Sequence, residues 1–284
     1  MKRLILLMHC PDKKGIIAAV TNFIHQRNGN IVYIDQYVDR IQGAFFMRIE
    51  VEGDFDLSNF EKFKTTFKKE LGEPFQMSCS FYLADVLPKM AVFVSKYDHC
   101  LYDILAQQSS GKLACTIPFI ISNHKDLEPI AKQFNIPFYH IAVSKDTKEE
   151  TETKQLELLK KYEVNCIVLA RYMQIVSSRI IDVYPSKIIN IHHSFLPAFP
   201  GAKPYHSAFQ RGVKIIGATS HYVTEELDAG PIIEQDIIRV SHGHEVKDFI
   251  LKGQDLERIV LLRALKLHCE RKIMTYNNKT IVFN

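Results

Sequence analysis

The six cysteines form no C-x-x-C pair; Cys10, Cys79, Cys100, Cys115, Cys166 and Cys269 are scattered through 284 residues. A chain this long buries a core without covalent staples, so reduced thiols in a cytoplasmic protein are expected instead of a disulfide frame. Long apolar runs are also missing. Leu4-Ile5-Leu6-Leu7-Met8 falls far short of the roughly 20 residues that span a bilayer. No small-residue cleavage site follows the opening Met1–Cys10 segment, so no secretory leader is expected. Charge of one sign is scarce: 36 basic against 32 acidic residues give a net +4, with 11 of each in the first 85 positions. Without a basic block, a nucleic-acid partner is not expected, whereas a small anionic substrate fits. There is no internal repeat or low-complexity segment. What remains is 46% hydrophobic and 24% charged, the composition of one or two ordinary globular domains.

The pattern changes once along the chain. An apolar strand over 2–9 leads through Pro11-Asp12-Lys13-Lys14-Gly15 into a helix whose apolar positions are Ile16, Val20, Phe23 and Ile24. Strands over 31–38 and 44–51, a helix over 60–71 and a strand over 75–82 complete a ferredoxin-like β-α-β-β-α-β unit. Residues 1–84 are thus expected as one domain, 85–89 as a linker marked by Pro88, and 90–284 as a second. In the second, strands (90–94, 113–121, 138–143, 166–170, 188–192) alternate with helices (100–107, 127–134, 147–162, 177–183). That alternation predicts a doubly wound, mostly parallel sheet. Strands over 215–223 and 232–240 and a helix over 244–271 close the chain. The fold class is α/β.

Ligands of open α/β sheets sit at the carboxyl ends of strands. The strand at 188–192 ends there in Asn190-Ile191-His192-His193-Ser194. Asn190 and His192 alternate at strand period and point to one side. A later segment carries Asp228 before Ala229-Gly230-Pro231. An amide that stabilises an oxyanion, an imidazole that moves a proton and a carboxylate that orients it are the groups needed for hydrolysis or transfer at a carbonyl. A strand-end Asn or His is more often a capping or structural group, and spacing by itself does not bring Asp228 to His192.

Asn190-Ile191-His192, Ser194-Phe195-Leu196-Pro197, Phe199-Pro200-Gly201, Gly217-Ala218-Thr219, His221-Tyr222-Val223-Thr224 and Leu227-Asp228-Ala229-Gly230-Pro231 together resemble the folate-dependent formyltransferase family, in order, over about 90–284. The resemblance implies Asn190, His192 and Asp228 as catalytic residues. It implies a folate-binding loop at Arg171, Tyr172, Met173, Gln174, Ile175 and Val176, with further substrate contacts from Gly201, Val223, Thr224 and Glu225. The glycine-rich phosphate loop of ribonucleotide transformylases is replaced by Ser95-Lys96-Tyr97-Asp98-His99, so a backbone nest for a nucleotide phosphate is not expected. His99-Cys100-Leu101, Ser122-Asn123-His124 and the doubled His192-His193 instead resemble formyltetrahydrofolate deformylases, which adds His99 and His124 to the pocket. Cys10-Pro11-Asp12-Lys13-Lys14-Gly15-Ile16 resembles the opening of an ACT domain, which such deformylases carry at the front.

The resemblance implies hydrolysis of 10-formyltetrahydrofolate to formate and tetrahydrofolate, feeding purine synthesis, with water as acceptor and the folate as substrate and not as a resident cofactor. Asn190 would donate to the formyl oxygen, a protonated His192 would help hold the oxyanion, and Asp228 would orient His192 and the water. No metal is expected, because neither His192-His193 nor His242-Gly243-His244-Glu245 has a completing ligand set. Cys100 reads as a packing residue. The ACT resemblance implies an amino-acid effector, glycine or methionine, at Asp12, Lys14, Gly15, Asn30 and Ile31, and a homo-oligomer paired through these domains. Neither a membrane nor a nucleic acid is expected as partner. Two alternatives stand beside hydrolysis: formyl transfer to an amine acceptor, and a non-catalytic amino-acid sensor.

Overall fold

The computed structural model describes residues 2–54, 57–144, 146–198 and 204–283, the side chains of Leu57 and Ser58 excepted. By its internal contacts the chain divides into two units between Leu87 and Pro88.

The first unit runs β1 (Lys2–Pro11), α1 (Ile16–His25), β2 (Asn30–Asp39), β3 (Ala44–Gly53), α2 (Leu57–Phe67), a π-turn (Lys68–Gly72), α3 (Glu73–Phe75) and β4 (Ser78–Leu83). Its antiparallel sheet has the order β2-β3-β1-β4. Leu4, Leu6 and Met8 of β1 alternate onto one face and join Val20, Phe23 and Ile24 of α1 and Phe63 and Phe67 of α2 in one core. Phe23 and Phe67 meet edge to face at 5.1 Å. The last strand begins at Ser78 and not at position 75, because Glu73–Phe75 continues the helical path until Gln76 turns it at φ 55°. Gly15 caps α1 at φ 90°, a conformation glycine adopts without strain. Asp12 donates its backbone N–H to Gly43 O (2.8 Å), Lys14 and Asn30 are exposed, and Ile31 is half-buried at the start of β2.

The second unit runs β5 (Met90–Val94), α4 (His99–Ser109), β6 (Ile120–Ser122), α5 (Glu128–Gln133), β7 (Phe138–His140), α6 (Lys148–Lys161), β8 (Cys166–Leu169), α7 (Ser178–Ile181), β9 (Ile188–His192), α8 (Pro204–Arg211), β10 (Ile215–Tyr222), β11 (Ile232–Arg239) and α9 (Val246–Cys269). The sheet order is β11-β10-β9-β8-β5-β6-β7, parallel from β9 to β7, with β10 and β11 antiparallel at one edge. Both faces are covered, which is why the parallel strands read as unbroken apolar runs. On one side Ala91 and Phe93 of β5 join Leu159 of α6 and Ile180 and Ile181 of α7. On the other, Met90 lies 3.7 Å (Sδ to Sγ) from Cys269 of α9.

Three expectations are corrected. The strand expected over 113–121 is confined to Ile120–Ser122. Leu113, Cys115, Ile117 and Phe119 alternate because they line the core, while the backbone of Cys115 and Thr116 bonds Leu113 O and Pro88 O. Helix α8 and a hairpin of β12 (Ile273–Tyr276) and β13 (Lys279–Val282) are additional elements. The whole of 90–284 is expected as one domain, yet Arg271–Met274 and the described residues from Ile281 onward cluster with the first unit. There Arg271 accepts a hydrogen bond from Arg48 Nε (3.0 Å) at its carbonyl and lays its guanidinium over the Tyr82 ring at 4.4 Å.

Candidate active site

The antiparallel pairing of β9 and β10 sets His221 opposite Asn190 and Thr219 opposite His192. Paired residues point to the same face, so an amide and an imidazole from distant sequence become neighbours. Asn190 Nδ2 donates to His221 Nε2 (3.2 Å), and His221 Nδ1 donates to its neighbour's carbonyl, Tyr222 O (2.9 Å). A carbonyl can only accept, so it places a proton on Nδ1. His221 carried no assigned role in the sequence reading. The register that gives it one is invisible in a single sequence, although its place in the His221–Thr224 motif was a signal.

Asp228 is carried back to this pair by the loop after β10. Tyr222 N–H donates to Pro231 O (2.9 Å), closing the loop. Gly230 packs so tightly there that a Cβ would lie 1.8 Å from the Tyr222 carbonyl oxygen. Asp228 itself sits at φ 56°, which aspartate tolerates better than most residues. Its Oδ2 lies 3.1 Å from His192 Nδ1, and its Oδ1 lies 3.6 Å from His221 Nε2. Burial pushes the Asp228 carboxyl up, but the hydrogen bond from His192 and the nearby His221 ring outweigh that and hold it well below the usual carboxylate range. With Nδ1 engaged, His192 Nε2 is buried without a hydrogen-bond partner among the described residues. The structure thus brings together Asn190, His192 and Asp228, plus His221.

The loop after His192 is pinned from behind. Thr219 Oγ1 donates to Ser194 O (2.8 Å) and accepts from Leu196 N–H (3.0 Å) and Gln235 Nε2 (2.9 Å). Ser220 Oγ donates to Asn190 O (3.0 Å).

The 171–176 loop leaves the end of β8, beside the strand that carries Asn190. Met173 N–H donates to Ser95 Oγ (3.0 Å), and the hydroxyl of the buried Tyr172 accepts from Gln155 Nε2 (3.1 Å). Met173 and Ile175 are exposed, while Gln174 and Val176 are half-buried. Val223 N–H donates to Ile188 O (2.9 Å), Thr224 Oγ1 donates to Glu226 O (3.1 Å), and Glu225 is exposed. Gly201 and the Phe199-Pro200-Gly201 motif lie outside the described residues.

The two added histidines are placed differently from the catalytic group. His124 donates its backbone N–H to Ser122 Oγ (3.1 Å); no described hydrogen bond or ion pair joins its ring to Asn190, His192 or Asp228. His99 opens α4 and joins Glu257 of α9 (Nε2 to Oε2, 2.8 Å). Glu257 is fully buried; it also accepts from Tyr205 OH (2.5 Å) and lies 3.5 Å from Arg171 Nε. Burial pushes its carboxyl up, and the hydrogen bond from His99 with the charge of Arg171 brings it below the usual range.

One atom each from His99, Cys100 and Glu257 lie within 4.8 Å of one another, a metal-like grouping among the described residues. Its chemistry disfavours a cation. The Arg171 guanidinium already neutralises Glu257, and burial pushes the Cys100 thiol far up, away from the thiolate a metal needs.

Comparison with known proteins follows the same division. Residues 88–265 match the formyl transferase family and residues 4–62 the ACT domain. A formyltetrahydrofolate deformylase of Synechocystis sp. is 51% identical over 98% of this chain and 97% of its own length. The enzyme of that name from Bacillus subtilis is 47% identical over 98% and 93%. The crystal structure of a formyltetrahydrofolate deformylase from Pseudomonas syringae pv. tomato superposes with a TM-score of 0.95 at 42% identity, covering 100% of this chain and 95% of that one.

Proposed function

This chain belongs to the formyltetrahydrofolate deformylase family, and from that premise we propose that it hydrolyses 10-formyltetrahydrofolate to formate and tetrahydrofolate. The observation that carries the reading is the joined Asn190–His221 and His192–Asp228 arrangement, with His192 Nε2 left for the reacting groups. Water adds to the formyl carbon, a carbon–oxygen bond forms, and charge develops on the formyl oxygen. Asn190 Nδ2 has two hydrogens; His221 takes one and the oxyanion takes the other. The ionised Asp228 orients His192 through Nδ1, so that Nε2 exchanges protons with the water and the oxyanion. The water proton ends on N10 as the carbon–nitrogen bond breaks. The exposed Met173 and Ile175 supply an apolar surface for the folate rings, beside the Val223–Glu225 segment.

The ACT domain supports control by a small amino acid, glycine or methionine, at Asp12, Lys14, Gly15, Asn30 and Ile31, and a homo-oligomer formed through these domains. The helices contain no segment long and apolar enough to cross a membrane, among the described residues. We place the enzyme in the cytoplasm, releasing formate for purine synthesis without a resident cofactor.

Release of formate in buffer free of amine acceptors is the test. Turnover with water alone is expected; turnover only after an amine is added moves the chain to the transferases, and folate binding with no turnover in either condition makes it a sensor. For control by amino acids, isothermal titration is expected to give heat with glycine or methionine and a matching change in turnover, as linkage requires. No heat from either removes the effector reading.

A further inference from the structure

We propose that Arg171, beside His99, forms a subsite for the product formate, a small carboxylate, separate from the groups that act on the formyl carbon. The proposal rests on the deformylase reading for the identity of the anion.

Arg171 is more than nine-tenths buried, yet no atom of the described residues accepts a hydrogen bond from its Nε or Nη1. Its neighbouring carboxylate, Glu257, stands 3.5 Å from Nε without hydrogen-bond geometry. The oxygens of Glu257 are already engaged, one by Tyr205 and the other by His99. His99 donates Nε2–H to Glu257, and its buried Nδ1, which has no partner among the described residues, becomes a donor when the ring is an imidazolium. Buried donors left unmade are costly, and a guanidinium most of all, so the Arg171 N–H groups point to an acceptor that arrives from outside. A guanidinium is the side chain best matched to a planar carboxylate.

The surroundings favour an anion. His99 opens α4, an 11-residue helix whose cap residue Asp98 makes no side-chain hydrogen bond to the first turn. The helix start therefore adds partial positive charge beside the unpartnered donors. Tyr97 lies over the guanidinium, with Cζ 4.8 Å from the ring centroid, so the ligand must be small. Arg171 holds φ 61°, a strained backbone for a side chain other than glycine.

The position suits a product leaving the reaction centre. Leu169 of β8 is in parallel register with Asn190 of β9, so Arg171 leaves its strand beside the one that ends in His192. From the other side, Tyr205 lies 5.8 Å from the His193 ring, which lies 5.2 Å from His192.

The test is direct binding of ¹³C-labelled formate to the full chain, followed by NMR, which requires no turnover. Wild type is expected to bind formate, and Arg171→Gln to bind it roughly 10- to 100-fold more weakly, the loss typical of a charged hydrogen-bonding partner. Arg171→Gln/Glu257→Gln removes both buried charges together and serves if the single variant fails to fold; the same loss is expected. Asn190→Ala is expected to weaken formate binding less than either. p-Aminobenzoylglutamate, which carries the folate's tail carboxylates, is expected to bind equally to wild type and Arg171→Gln. The proposal is overturned by absence of formate binding in wild type, by unchanged binding in the Arg171 variants, by a larger loss in Asn190→Ala, or by Arg171 dependence of the tail fragment alone. Failure of the deformylase reading is separate: it is absence of formate release from the folate, whatever free formate does.

Discussion

Asp228→Asn lowers formate release from 10-formyltetrahydrofolate by roughly 10²- to 10⁴-fold, the contribution of a positioned acid–base pair. The substitution keeps the size of the side chain but replaces the charge that faces both His192 Nδ1 and His221 Nε2. An asparagine that turns its NH₂ toward His192 Nδ1 favours the wrong tautomer, so Nε2 can no longer accept a proton. Single-turnover measurement separates this from folate binding, which is expected to change little. A variant within about threefold of wild type removes Asp228 from the mechanism; the scale for comparison is the tenfold per 1.4 kcal/mol of transition-state stabilisation.

The same carboxylate makes a pH-dependent contribution to stability. Its native pKa is depressed by His192 and His221, against an unfolded value near 3.9. The ionised form therefore favours the folded state, and the contribution is fully present above the unfolded value. It is lost as pH falls from there through the lower native value. Denaturant melts of wild type and Asp228→Asn are expected to show a difference at pH 7 that shrinks below about pH 4. A constant difference across that range means the depression is absent.

Glu257→Gln has the second large effect, on the fold itself. Glu257 is fully buried, bonded by Tyr205 and His99 and neutralising Arg171. Removing its charge leaves a buried guanidinium unpaired, which costs about 3–5 kcal/mol. For a domain of this size that lowers Tm by roughly 6–20 °C. Removing both charges, in Arg171→Gln/Glu257→Gln, is expected to recover part of the loss, because the uncompensated charge is what costs most. Calorimetry decides it: a single variant melting within about 2 °C of wild type makes the cluster neutral to stability.

Much of the architecture was legible in the order of the residues. Helical spacing at Ile16, Val20, Phe23 and Ile24 marked the face that α1 buries, and the apolar runs of β5, β8 and β9 marked a sheet covered on both sides. Period-2 apolar alternation misled at 113–121, since a loop lining a core shows the same spacing as a strand. The polar composition of Pro204–Arg211 hid α8, and the shortness of its two strands hid the β12–β13 hairpin. Motif resemblance singled out Asn190, His192 and Asp228 as a group, but it left His221 without a role and placed His99 and Arg171 in the substrate pocket without their shared partner.

By itself the sequence determined what is local: the strand that aligns Asn190 with His192, the turn chemistry around Asp228 and Gly230, and the identity of the family. Only the tertiary structure decided what depends on register and burial. Antiparallel pairing put His221 against Asn190, the returning loop put Asp228 on His192, and helix packing set Glu257 among His99, Tyr205 and Arg171. Those contacts join residues 31 to 158 positions apart. No local propensity encodes such distances; they follow from which faces the whole chain must bury together.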